Sequence, residues 1–218
     1  MSSFNLPATL HTFRLLTQPH KLVPALRVPT FNDLPIPLAP ALVSSSAASR
    51  QPDIQAIVLD KDNCFTAQDS PEIYPLYKAH FAKLRQAYPG DKLLIVSNTA
   101  GTKSMDPDDK LALALEHSTG VRVLRHVVKK PDCVPEIMRF FKSSPSTGVE
   151  RPEQVAVVGD RILTDVVMAN EMGAWAIWIE TGVKSVDSLP GRVERVWLRA
   201  VEHFNIKTIR SIHDHGEK

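Results

Sequence analysis

Apolar positions along the chain fall into two alternating rhythms. Unbroken apolar runs occupy residues 54–60 (IQAIVLD), 92–98 (KLLIVSN), 121–128 (VRVLRHVV), 154–160 (QVAVVGD) and 174–180 (AWAIWIE). Runs that lack polar alternation predict strands covered on both faces, as in a parallel sheet. Helix-like segments lie between them at 75–90, 105–120, 131–142 and 161–173, and Gly90, Gly120 and Gly173 supply stop signals. A last helical stripe places Val193, Val196, Trp197, Ala200, Val201 and Phe204 on one face. Strands alternating with helices predict βαβ units, and so an α/β, doubly wound (Rossmann-like) fold with a five-stranded parallel sheet.

The first 52 residues break this rhythm and predict a separate arm, with the globular domain at 53–210. They hold many of the 17 prolines, the cations Arg14, Lys21, Arg27 and Arg50, and a lone acid, Asp33. The spacing predicts a helix over 7–18, opened by Pro7 and stopped by Pro19, with Leu6, Leu10, Phe13 and Leu16 as its apolar stripe. The prolines after it predict an extended path through residues 28–50. Three readings of the arm stand side by side: a segment packed on its own domain, an interfacial membrane helix, or a cleaved organelle-targeting peptide.

Composition narrows the class only a little. Of 218 residues, 43% are hydrophobic and 23% charged, which is ordinary for a globular protein, and a net charge of +2 gives no argument for nucleic acid. Two cysteines, Cys64 and Cys133, make neither a disulfide framework nor a zinc knuckle and predict reduced thiols. No apolar run reaches the roughly 18 residues of a membrane-spanning helix.

The chemistry is carried by what ends the strands, because ligands of open parallel sheets bind beyond the carboxyl edge. The first run ends in Asp60-Lys61-Asp62-Asn63, the second in Ser97-Asn98-Thr99, the third leads to Lys129-Lys130, and the fourth ends in Gly159-Asp160-Arg161 with Asp165 a turn later. Several carboxylates suit Mg²⁺ rather than zinc, and a lysine suits a phosphate. An aspartate can attack phosphorus to form an acyl-phosphate, and a second carboxylate can protonate the leaving oxygen. An EF-hand starting at Asp60 is excluded, since Phe65 and Pro71 stand where glycine and glutamate are required. Taken alone, Asp60-Asp62 reads better as a turn and Asp160 as a helix N-cap, while Ser97-Asn98 also fits a turn and Lys129-Lys130 a solvated pair. Together, on successive strand ends, they predict one site.

These blocks, VLDKDN, IVSN, a lysine and VVGDRILTD, resemble the four ordered motifs of the haloacid dehalogenase-like phosphatase superfamily over roughly residues 53–182. The resemblance implies Asp60 as nucleophile and Asp62 as general acid/base. It implies Ser97 and Asn98 at the phosphoryl oxygens, and Lys130 as the motif lysine because Pro131 follows it, with Lys129 as the rival. It implies Mg²⁺ held by Asp60, the Asp62 carbonyl and Asp160, with Asp165 in support. Cys64 departs from the threonine or valine common at that place and is expected to be structural.

Residues 61–96 and 98–129 leave room for a helix and a strand each but not for a cap domain, so the site is predicted to be capless and open to a large substrate. DKDNC, SNTAG, the KKP step, GDRILTD and the acid-poor arm around TFNDLPIP further resemble the eukaryotic mitochondrial phosphatidylglycerophosphate phosphatase family, related to the bacterial IIIA subgroup. That resemblance implies phosphatidylglycerophosphate as substrate and a route to cardiolipin. It also implies a peripheral place on the matrix side of the inner mitochondrial membrane, reached through the arm. A soluble phosphatase for nucleotide, sugar or protein phosphates is the competing expectation.

Overall fold

Each of the five apolar runs contains a strand in the computed structural model, which describes residues 18–45 and 52–183, and a sixth strand joins them. The strands are β1 (Leu26–Val28), β2 (Ala56–Leu59), β3 (Leu93–Ile95), β4 (Arg122–Val123), β5 (Val155–Gly159) and β6 (Trp175–Ile179). They pair in parallel in the order β1-β6-β5-β2-β3-β4. Helices α1 (Ala39–Ser45), α2 (Lys78–Ala87), α3 (Lys110–Thr119), α4 (Val134–Ser143) and α5 (Val167–Met172) complete the layers. All residues of β2, β3 and β5 are buried, which is why their sequences show no alternation.

Two compact units result: Pro24–Ser185, and Met1–Val23 together with Val186–Lys218. Of the second, the described part is a 3₁₀ turn at Pro19–Leu22, closed by Val23 N–H donating to His20 O at 3.2 Å. The helices expected over 7–18 and 193–204 lie outside the described residues, apart from Gln18.

The sixth strand corrects the five-stranded expectation and the extended path expected through 28–50. Strand β1 pairs with β6, with Leu26 opposite Ile177 and Val28 opposite Ile179. Downstream of it, Phe31, Leu34, Leu38 and Leu42 are fully buried. The Phe31 ring packs 5.9 Å from Phe65 and 5.5 Å from Tyr77. A helix forms in this proline-rich stretch because Pro40 falls in the first turn of α1, where its missing N–H has no partner to lose. Residues 24–45 are thus part of the sheet's own core.

Strand β4 is shorter than its apolar run. After Leu124 N–H bonds Ile95 O at 2.9 Å, the chain leaves the edge and pairs instead with the loop after β3, where His126 N–H donates to Gly101 O at 2.9 Å. Gly101 permits this approach: its φ is +80°, and a Cβ there would lie 2.3 Å from Leu124 O. The segment expected as one helix over 161–173 is divided into a π-turn, Ile162–Val166, and α5.

Candidate active site

Strands β2 and β5 are neighbours, but the chain leaves β2 toward β3 on one side and β5 toward β6 on the other. Their carboxyl ends therefore flank the switch point of the sheet, the position where open α/β sheets hold ligands. Asp60 follows β2 directly and keeps its place in the ladder, donating its N–H to Val158 O at 2.9 Å. Asp160 follows β5, and its carbonyl accepts Trp178 Nε1–H at 2.9 Å from β6.

Asp165 reaches the same place through the π-turn. Its N–H donates to Arg161 O at 2.9 Å, while its Oδ2 accepts Arg161 N–H at 3.2 Å. This folds the carboxylate back over Gly159, where a Cβ would lie 2.4 Å from Asp165 Cγ. Gly159 is required by that close approach, not by its backbone angles.

Lys130 joins these groups. Its buried Nζ donates to Asp60 Oδ1 and, at 2.8 Å, to Asp165 Oδ1. Its backbone N–H donates to Asn98 Oδ1 at 2.8 Å, so Asn98 ties the loop after β3 to the lysine. Burial opposes the ammonium charge, yet the Asp165 and Asp60 carboxylates outweigh it and raise the Lys130 pKa. Lys129 is exposed.

Ligating oxygens of Asp60, Asp160 and Asp165 lie within 4.8 Å of one another. Burial raises the Asp60 pKa despite Lys130. Burial, followed by the negative charges of Asp60 and Asp165, pushes Asp160 up to about 8. Asp160 Oδ2 accepts Asn63 Nδ2–H at 2.8 Å, but Asp60 Oδ2 and Asp160 Oδ1 are buried with no hydrogen-bond donor among the described residues. Two such oxygens, each paired elsewhere through its sister atom, fit a hard divalent cation between them. The donor set contains no histidine or thiolate, so zinc is a poor match.

Asp62 is served by other partners. Its Oδ1 accepts Asp69 N–H at 2.9 Å and the Lys61 ammonium, and its Oδ2 accepts Thr99 Oγ1–H at 3.1 Å. Lys61 is buried and also donates to Ser70 O at 3.2 Å. Ser97 Oγ lies 2.9 Å from Thr99 Oγ1 and accepts Thr99 N–H at 3.1 Å. The His126 ring spans the loops after β3 and β4, with Nε2 2.9 Å from Ser97 O and Nδ1 2.6 Å from Val128 O.

Asp60, Asp160, Asp165 and Lys130 are thus brought into one cluster. Asp62, Ser97 and Asn98 stand beside it, joined through Thr99 and the Lys130 backbone. Sequence reasoning gave no role to Lys61, Asn63, Thr99 or His126. Asn63 carried a signal, since asparagine at a strand end often takes the left-handed conformation seen here at φ 61°. Thr99 carried a weaker one, as the next hydroxyl after Ser97-Asn98. Nothing local marked Lys61 or His126 as buried. Cys64 sits fully buried in the core, with its thiol pushed up by burial and by the Asp60 charge.

The family model described as mitochondrial PGP phosphatase matches residues 6–184. The chain belongs to the mitochondrial PGP phosphatase family. The mitochondrial phosphatidylglycerophosphatase GEP4 of Saccharomyces cerevisiae is 47% identical over 180 residues, covering 83% of this chain and 89% of that protein. A probable mitochondrial phosphatidylglycerophosphatase of Schizosaccharomyces pombe is 31% identical over 183 residues, covering 84% and 85%. Among solved structures, an uncharacterized protein from Listeria monocytogenes serotype 4b covers 62% of this chain and 83% of its own, at 18% identity and a TM-score of 0.38. Membership of this family makes the chain a phosphatase. No helix among the described residues is long and apolar enough to cross a membrane.

Proposed function

We propose that the chain is a Mg²⁺-dependent phosphatidylglycerophosphate phosphatase that releases the terminal phosphate and yields phosphatidylglycerol, the precursor of cardiolipin. The observation that carries this reading is the buried cluster in which Lys130 holds Asp60 and Asp165 while Asp60 and Asp160 each keep one oxygen without a donor. The names of the fungal relatives support the lipid substrate and the mitochondrial address.

Asp60, Asp160 and the Asp62 carbonyl are the groups that would hold Mg²⁺, which when bound offsets the charge of a carboxylate approaching a phosphate dianion. Asp60 attacks phosphorus through a carboxylate oxygen. The Asp60–phosphorus bond forms as the ester P–O bond breaks, and Asp62 gives its proton to the departing alkoxide. Asp62 then takes a proton from water, which attacks the aspartyl-phosphate and restores Asp60. Lys130 keeps Asp60 oriented and faces the phosphoryl group with positive charge. Ser97 Oγ and Asn98 accompany the phosphoryl oxygens; Asn98 Oδ1 accepts Lys130 N–H, which fixes the amide and leaves its Nδ2–H to donate.

The N-terminal arm, with its stripe Leu6, Leu10, Phe13 and Leu16, is the proposed peripheral membrane contact, on the matrix side of the inner membrane. Arg14 and Lys21 lie nearby in sequence and favour anionic lipid. The deciding experiment compares phosphate release from phosphatidylglycerophosphate vesicles, nucleotide and sugar monoesters and phosphopeptides, with Mg²⁺ and with chelator. The expected result is Mg²⁺-dependent release with a strong preference for the lipid. Faster turnover of a soluble monoester would overturn the lipid reading.

A further inference from the structure

A hollow of about 740 Å³ along the edge of β4, between Asp91, Arg122, Arg125 and Phe140, shares no residue with the site, and nothing beside it indicates an occupant. A smaller one differs. A pocket of about 180 Å³ opens between the loop 69–71 and the first turns of α3. Its polar end is formed by Lys61, Ser70 and Thr99, and its apolar walls by Met105, Leu111 and Leu115. Lys61 and Thr99 are the side chains whose ammonium and hydroxyl bond the Asp62 carboxylate. Met105 and Leu111 are large apolar residues left about half exposed, at 52% and 49%.

We infer that this pocket is the subsite for the leaving alcohol, and that its shape selects a flexible glycerol-type phosphomonoester. The inference rests on the phosphatase reading above. In an in-line displacement the leaving oxygen stands opposite Asp60 and next to the acid that protonates it. The carbon skeleton attached to that oxygen must therefore emerge on the Asp62 side. The pocket is lined by Lys61 and Thr99, the partners of Asp62, and it is small, about 180 Å³. A glycerol link meets hydroxyl, ammonium and carbonyl groups at its inner end. The longer remainder of a lipid passes Met105 and Leu111, whose exposed surface is matched by an apolar chain and not by a sugar or a base. In this arrangement selectivity comes from α3 and the loop before it, outside the four motifs that carry the chemistry.

The test uses the full chain and two substrates: a dihexanoyl phosphatidylglycerophosphate kept below its micelle concentration, so that bilayer contact does not enter, and acetyl phosphate, whose leaving group is small. Ala114 lines the pocket from the exposed face of α3, so Ala114→Phe fills the pocket without entering the core. The ratio of kcat/KM for the lipid to that for acetyl phosphate is expected to fall about tenfold or more, mainly through KM. Leu111→Gln, a polar change at the mouth that cannot overpack, is expected to lower the same ratio severalfold; inhibition by inorganic phosphate reports that the phosphoryl site is intact. An unchanged ratio in both variants overturns the inference while leaving the lipid reading in place. Wild-type protein that hydrolyses acetyl phosphate but not the short-chain lipid overturns both.

Discussion

Asp60 and Asp62 are separated by one residue, yet they live in opposite surroundings. Asp60 is buried, its pKa is raised, and one of its oxygens has no donor. Asp62 is part-exposed, with a side-chain exposure of 21%, and both of its oxygens accept hydrogen bonds. Each has a buried lysine, but the two lysines come from different places. Lys61 is the intervening residue, whereas Lys130 arrives from the loop after β4. The difference matches two kinds of work. An oxygen without a donor is available to a cation or to phosphorus, at the cost of holding charge in a low-dielectric place. A carboxylate held by several donors at the rim is fixed in position and can exchange protons with leaving group and water.

The contrast can be broken from either side, and the largest effects belong to Asp60. Asp60→Asn removes the nucleophile, so phosphate release should fall by about 10⁴-fold or more while circular dichroism stays native. Residual turnover within tenfold of wild type would place the nucleophile elsewhere. Lys130→Met leaves Asp60 and Asp165 buried without their cation, and such a loss costs about 3–5 kcal/mol. Urea unfolding without added metal should show that loss, and Lys61→Met should show clearly less because Asp62 retains Asp69 N–H and Thr99.

The Asp62 side should respond to the leaving group. Asp62→Asn is expected to lower kcat/KM for alkyl monoesters, which reports transfer to Asp60, by about 10²–10³-fold, with a much smaller effect on kcat/KM for acetyl phosphate, whose leaving group needs no proton. Equal losses on both substrates would argue against proton donation. Gly159→Ala pushes a methyl group against the Asp165 carboxylate and should destabilise by about 1–3 kcal/mol, lowering activity with it.

The contrast also predicts a pH dependence. Asp160, with an ordinary pKa of 3.8, is pushed up to about 8 in the folded metal-free protein. Between those values the unfolded chain releases a proton that the folded chain retains, so stability contributed by this group declines as pH rises from about 4 to about 8. Asp160→Asn should flatten that decline in a series of metal-free melts. A divalent cation should stabilise the wild type more at pH 8 than at pH 5, because binding expels the proton. A wild-type profile parallel to the variant's would remove the basis for the shifted carboxyl.

Much of this contrast is legible along the chain. The βαβ order follows from apolar runs and glycine stops, and the carboxyl-edge clusters from the polar residues that end those runs. Other features were hidden because their causes are distant. The sixth strand was missed since a three-residue strand amid prolines has no periodicity of its own; Leu26–Val28 is a strand because β6 offers it an edge. Asn98 reads along the chain as a neighbour of Ser97, and its bond from Oδ1 to the Lys130 N–H, which ties two loops together, has no local signal. Lys61 has no assigned role along the chain, yet the 69–71 loop closes over it.

By itself, the sequence determined the strand ends that carry carboxylates, the choice of hard oxygen donors, and the absence of room for a cap, since these depend on residue type and spacing. Tertiary structure alone decided which lysine is buried, which oxygens lack a donor, and that Lys61 and Thr99 share a pocket with α3. Those outcomes depend on which groups exclude water from one another, and exclusion is set by elements that meet in space after long separation in the chain.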